Sequence, residues 1–294
     1  MSRDPHWNGM FLVAVADDFG LSSTVNCAVA EAHDNGIIRA ASIMAAGDAF
    51  EEAVEILRER PELSPGLHVT LCDSRAVLPA SRIPDLVDSR GYFQRNPAAA
   101  WLKYSRGDLL SQIEREVEAQ FERLVWVGIR PTHVDGHHHL HMHPSIFEIV
   151  CRHASKRGVN WIRMPNESLA VILKARSLLR GPMPFLEWAV FGALGMHHRK
   201  VARKYGLRVA SHVYGLSHTG SVDEKYILNV LDSMGDSLSE IFTHPDISTE
   251  PGRRELNALT SIAVRRRLVS LGVTLSGYRE LSEEAVCYSV WGRP

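Results

Sequence analysis

The chain has 294 residues, about twice a common single-domain length, yet (β/α) barrels of this size fold as one domain. Apolar residues make up 45% and charged residues 23%, which supports a large core and excludes wholesale disorder. With 33 Lys+Arg against 34 Asp+Glu, the basic excess of a dedicated nucleic-acid binder is missing, and no nucleic-acid partner is expected.

In chain order, Phe11–Ala16 is a continuous apolar run ending in Asp17-Asp18, the pattern of a strand buried on both faces. Residues 26–35 have helical spacing and stop at Gly36; 40–46 is a second short strand; 49–60 is a second helix closed by Pro61. The run Leu67–Leu71 follows as a third strand. Strand, helix, strand, helix, strand is the rhythm of an α/β protein with a parallel sheet. Residues 74–107, with Pro79, Pro84, Gly91, Pro97 and Gly107, read as a long loop, and a connection of that length is usually functional. An amphipathic helix spans 109–127, with Ile113, Val117, Phe121, Leu124 and Val125 on one face. Residues 133–143 begin as a strand or a strand-to-loop segment, Pro144 opens a helix to Lys156, and 161–164 is a short strand. Further strands are expected at 211–214, 239–243 and 273–276, with helices at 222–234 and 258–271. About seven or eight βα units follow from this rhythm, so the expected fold is α/β: a TIM-like (β/α) barrel, distorted or seven-stranded, in a single domain over 1–294.

Residues 170–208 stand apart as an insert. Their charges are Lys174, Arg176, Arg180, Arg199, Lys200, Arg203, Lys204 and Arg208 against Glu187 alone, beside Phe185, Trp188 and Phe191. Two readings compete: packed helices with a solvated basic rim, or a flap meeting an anionic lipid surface. No stretch reaches the roughly 20 uninterrupted apolar residues of a spanning helix. Met10–Ala16 is too short for a signal-peptide core. Cys27, Cys72, Cys151 and Cys287 form no CxxC pair, so a cysteine zinc site is not expected and reduced thiols in a cytoplasmic protein are.

Four short motifs carry chemistry. Asp17-Asp18 ends the first strand, where α/β sheets and barrels place active sites; against this, one Asp could simply cap the next helix. His68 lies in the third strand, where a lone histidine is more often a hydrogen-bonded core residue. Thr132-His-Val-Asp-Gly-His-His-His-Leu-His-Met-His143 holds six histidines, and neutral imidazole is the commonest side-chain metal ligand. In an extended segment His137, His139 and His141 would share one face and His138 the other. Thr243-His-Pro245 ends a late strand and is weak alone. One carboxylate and two imidazoles from separate strand ends make a three-ligand site with open positions, the catalytic rather than the structural metal pattern.

These segments resemble the YdjC-like carbohydrate deacetylases: Ala16-Asp-Asp-Phe-Gly-Leu-Ser22, Gly66-Leu-His-Val-Thr-Leu71, the histidine motif through Pro144, and Thr243-His-Pro245, in family order across most of the chain. Arg82–Asp88, Arg163-Met-Pro165 and Val213–Leu216 are similar to the hopanoid-biosynthesis-associated HpnK branch. The resemblance implies a distorted (β/α) barrel and a hydrolase removing the N-acetyl group of an amino sugar. It implies one divalent ion, zinc or magnesium, on Asp18, His68 and His137. Asp17 matches the general base and His244 a nearby acid; His138, His139, His141 and Arg163 fall to substrate contact or support of the ligands. The implied substrate is an N-acetylglucosaminyl hopanoid glycolipid, with a soluble chitooligosaccharide as the alternative. Peripheral contact with the inner membrane face through 170–208 and a homo-oligomer are compatible partners. Gly136 departs from the Ser or Ala of many relatives. Two other classes stay open: a phosphoesterase or amidohydrolase on a barrel, and a metal- or lipid-binding protein without turnover. The spare carboxylate beside Asp18 argues for turnover, since a binder needs only one.

Overall fold

The computed structural model describes residues 8–174 and 183–282. Among the described residues eight parallel strands form one sheet: β1 (Met10–Phe19), β2 (Ala40–Ile43), β3 (Ser64–Val69), β4 (His133–Gly136), β5 (Trp161–Ile162), β6 (His212–Tyr214), β7 (Ser237–Thr243) and β8 (Thr274–Leu275). The order is β5-β4-β3-β2-β1-β7-β6, and β8 pairs only with the start of β1, at Phe11 and Leu12. Isolated bridges Trp161–Arg208 and Asn166–Val213 link the chain at the β5 edge to the chain at the β6 edge. The result is the expected distorted barrel with a seven-strand path. β1 is central because it is apolar throughout: residues 12–16 are all buried, as a strand covered on both faces requires.

Helices α1 (Ser23–Asp34) and α2 (Phe50–Glu59) connect β1, β2 and β3. Ser22 caps α1 by accepting from the Val25 amide. The stretch 74–107 differs from the expected loop, since it holds α3 (Pro97–Tyr104). Pro97 counts toward the loop reading, but it follows Asn96, whose side chain accepts from the Ala99 amide, and proline at the first helical position is favoured. In α4 (Leu110–Trp126) Ile113, Val117, Phe121 and Leu124 are buried as expected, whereas Val125 is exposed, one residue beyond the core-facing stripe. α5 (Pro144–Lys156) follows β4. The helix expected over 258–271 is two: Ser261 caps a new start, separating α9 (Glu250–Leu259) from α10 (Ile262–Leu271), after α8 (Glu224–Leu231).

The insert holds α6 (Leu169–Lys174) and α7 (Met183–Lys204). Phe191 on α7 is buried, with its ring 6.4 Å from Trp101 of α3 and 5.8 Å from His139. That corrects its assignment as a lipid contact: Phe191 packs α7 against α3 and the turn after β4. Lys204 ion-pairs with Glu148 of α5 at 2.7 Å. Leu186, Val190 and Met196 of α7 are exposed. Arg176, Arg180 and Cys287, and the side chains of Phe185 and Trp188, lie outside the described residues. Among the described residues no helix is long and apolar enough to cross a membrane.

Candidate metal centre

The first site residue is made by an irregularity. Between Ala16 and Phe19 the register of β1 against β2 slips, Ala16 pairing Ala41 and Phe19 pairing Ile43. A bulge of this kind re-aims side chains. Asp18 takes φ 58°, the left-handed region, so both members of the Asp-Asp pair turn toward the mouth instead of opposite faces. Asp18 Oδ1 lies 2.8 Å from His137 Nδ1 and 3.2 Å from His68 Nε2. Donor atoms of Asp18, His68 and His137 all lie within 4.8 Å of one another. β1, β3 and the turn after β4 therefore bring together the three residues expected to hold an ion.

His68 is held from behind. Its Nδ1 lies 2.7 Å from Asp135 Oδ1, because β3 and β4 pair in a register that sets His68 beside Asp135. Asp135 also accepts from Ser42 at 2.6 Å and pairs with Arg163 at 2.8 Å. Burial opposes charge on His68, but Asp135 and Asp18 outweigh it and raise its pKa to about 10. Burial likewise opposes charge on Asp135; Arg163 and His68 overcome this and hold it well below the usual carboxylate range.

Asp17, buried beside these ligands, is gripped by both ends of a guanidinium: Arg163 Nη1 at 2.5 Å from Oδ2 and Nη2 at 2.7 Å from Oδ1. Arg163 also donates through Nε to Glu240, which accepts from Tyr278 as well. Its guanidinium lies 4.8 Å from the Phe242 ring centroid. Arg163 thus engages all three of its nitrogens with three carboxylates inside the barrel and holds Asp17 in place. His244 Nε2 sits 3.9 Å from Asp17 Oδ2, and its backbone N–H donates to Glu255. Its Nδ1 is buried without a hydrogen-bond partner among the described residues.

The histidine motif is not extended beyond β4, which corrects the alternating-face reading. Gly136 ends the strand and 137–142 wind into a 3-10 turn, with His138 and His139 both left-handed. His137 consequently faces Asp18, while His139 and His141 fold beneath the turn. His141 Nε2 bonds the Arg163 carbonyl at 3.0 Å. His139 is caged by Phe191 and Phe242. Burial lowers the pKa of His141 to about 4. Neither ring is exposed to substrate; of the three flanking histidines only His138 is exposed. At Gly136 a Cβ would meet the Val69 carbonyl and His141 Nδ1 at 2.9 Å, so here the departure from Ser or Ala accompanies the close packing of His141.

Asp135, Ser42, His133, Glu240 and Tyr278 were missed as site residues. One signal was available: His133 and Asp135 alternate on one face of a strand directly before the candidate ligand His137. The His133 ring lies across β3, where a Cβ on Gly66 would come within 2.2 Å of its Nε2. Burial lowers the His133 pKa to about 4.

Carboxylate and imidazole donors converging at the carboxyl ends of parallel strands, over a buried ionic core, define a barrel with a built site. The YdjC-like protein family matches residues 11–270, and the chain belongs to that family. A carbohydrate deacetylase of Geobacillus stearothermophilus is 41% identical over 140 residues, 48% of this chain and 54% of that protein. Against it the chain spans about half the relative's length. A chitooligosaccharide deacetylase of Citrobacter koseri is 28% identical over 284 residues, 92% of this chain and 98% of that protein. The crystal structure of a proposed cellobiose-phosphate cleavage protein from Enterococcus faecalis V583 superposes with a TM-score of 0.74 at 24% identity, covering 93% of this chain and 99% of that one, and so shares the fold.

Proposed function

We propose that the protein hydrolyses the N-acetyl group of an N-acetylated amino sugar, with a divalent ion on Asp18, His68 and His137. One observation carries the reading: a three-donor cluster directly beside a second carboxylate, Asp17, that is fixed by Arg163 and is not itself in that cluster. The names of the Geobacillus and Citrobacter relatives support the same reaction class. The donor set fits a metal, since His68 turns one nitrogen to Asp18 and the other to Asp135, the outer partner that orients metal-binding imidazoles. Two imidazoles and one carboxylate suit zinc better than magnesium. When bound, the ion polarises the amide carbonyl and makes water a better nucleophile.

The chain's own groups supply the rest. Asp17 takes the proton from the attacking water; the Arg163 fork fixes the plane of its carboxylate and leaves a lone pair on each oxygen. His244, on the far side of Asp17 Oδ2, delivers a proton to the leaving amine. His141, bonded to the Arg163 carbonyl, keeps that fork in place. The finer proposal for the substrate is a glycolipid of the N-acetylglucosaminyl hopanoid type. It is supported by the exposed Leu186, Val190 and Met196 on α7, the helix whose Phe191 packs on His139, and it would put the protein at the inner membrane face in peripheral contact. Release of free acetate from chitooligosaccharides and from N-acetylglucosaminyl lipid, assayed side by side, tests both levels. Turnover of neither defeats the deacetylase reading; turnover of the soluble substrate alone defeats the glycolipid.

A further inference from the structure

A second group of donors shares the mouth. Asp73, His137 and His138 also place one ligand atom each within 4.8 Å of one another, beside the Asp18 cluster and with His137 common to both. The third such group, Asp17, His68 and Asp135, is buried and already satisfied by Arg163 and Ser42. The Asp73 group is different: Asp73 and His138 are exposed, and neither the Asp73 carboxylate nor the His138 ring makes a hydrogen bond among the described residues.

The backbone holds both donors in place. Among the described residues the non-glycines in the left-handed region are Asp18, Asp73, His138 and His139. Asp often offsets that conformation with a local side-chain hydrogen bond, and Asp73 makes none. Strain of this kind persists only where surrounding structure over-determines it, and it clusters at functional sites. Here the Asp73 amide donates to the Gln94 carbonyl at 3.1 Å, and the Phe93 amide donates to the Ser74 carbonyl at 3.0 Å, fixing the turn after β3. His138 is fixed by the 3-10 turn after β4, with its ring centroid 4.3 Å from that of His137. Two neighbouring strand ends thus present open donors to one point.

We infer that Asp73, His137 and His138 form a second divalent-cation site, for a zinc-class ion, next to the first and joined to it through His137. A neutral imidazole offers one lone pair, so to serve both ions at once His137 gives its remaining ring proton to solvent and acts as an imidazolate, one nitrogen toward each ion. The second site binds more weakly, since two of its donors are exposed and no outer hydrogen bond orients them. This inference rests on reading Asp18, His68 and His137 as the first site.

The test is zinc stoichiometry on the full chain, stripped with chelator and dialysed against graded free zinc. Two equivalents are expected, one tight and one weaker. Asp73→Asn and His138→Gly, chosen because Asn and Gly accept left-handed backbone, should each weaken the second equivalent at least about tenfold and leave the tight one. A single equivalent in the unaltered protein overturns the second site, as does a weaker equivalent that neither substitution changes. Asp18→Asn reports on the first site separately: loss of the tight equivalent upholds that reading, and its survival defeats it. The response to Asp73→Asn and His138→Gly is read from the weaker equivalent, so the two failures are distinguishable.

Discussion

The floor of the mouth and its rim are built on opposite rules. On the floor Asp17, Asp135, Arg163, Glu240 and His68 are buried, and each charge has a partner. On the rim Asp73 and His138 are exposed with side chains that bond nothing among the described residues, and α7 presents Leu186, Val190 and Met196 to solvent. A low-dielectric floor fixes carboxylates and imidazoles within tenths of an ångström; a rim has to stay available to ligand. Substitutions should therefore cost folding on the floor and binding on the rim.

The largest effect is expected at Arg163. Arg163→Met strands three buried carboxylates, and breaking a buried charge network by removing one partner costs about 3–5 kcal/mol. Urea denaturation should show it; a loss under about 1 kcal/mol would mean that water or rearrangement reaches the floor. Arg163→Lys keeps a charge but not the fork to Asp17, so it should recover part of the stability and little of the acetate release.

Acid should undo the floor next. Burial holds His133 and His141 neutral, each with a pKa near 4. The unfolded chain takes up protons near 6.5, so between those values it binds more protons than the folded chain. Stability then falls as pH drops from about 6.5 to 4, by up to roughly 3 kcal/mol per ring. His68, raised to about 10, contributes its full stability below about 6.5 and loses it progressively as pH rises from there through 10, so it opposes nothing in the acid limb. Thermal unfolding of the metal-free protein from pH 8 to 4 checks this; a flat midpoint would contradict it.

Asp135→Asn keeps shape and removes the charge behind His68. Affinity for the ion should drop about 10–100-fold, as read by chelator competition. Unchanged affinity would make Asp135 a packing residue only. The smallest effect belongs to the rim: Leu186→Ser and Val190→Ser should leave stability within about 0.5 kcal/mol, yet raise KM for a lipid-linked substrate and spare a chitooligosaccharide. Equal effects on both substrates would remove the apolar face from recognition.

Sequence pattern made the two regions unequally legible. β1, β3, β4 and β7 announce themselves by apolar runs, and the residues that resemble family motifs sit at their ends, so Asp17, Asp18, His68, His137 and His244 could be named in advance. The bulge at Asp18 and the left-handed turn at His138–His139 could not, because no periodicity encodes a single positive φ; the extended reading of residues 137–141 failed for that reason. Arg163 and Glu240 are 77 residues apart and meet only through barrel curvature, and Ser42 and Asp135 meet across two strand pairings. α3 was hidden by a proline that starts a helix as readily as it breaks one. Phe191 looked like a surface aromatic because the composition of 170–208 says nothing of which face of α7 turns inward.

The central claim is a division of labour between adjacent carboxylates, Asp18 for the ion and Asp17 for the proton. Bound metal and acetate release, measured together on Asp18→Asn and Asp17→Asn, test it most directly. Asp18→Asn should lose both the ion and the turnover. Asp17→Asn should keep a full equivalent of metal while acetate release falls about 10²–10⁴-fold, the usual cost of losing a general base. Near-normal turnover in Asp17→Asn, or full metal occupancy in Asp18→Asn, would contradict the account.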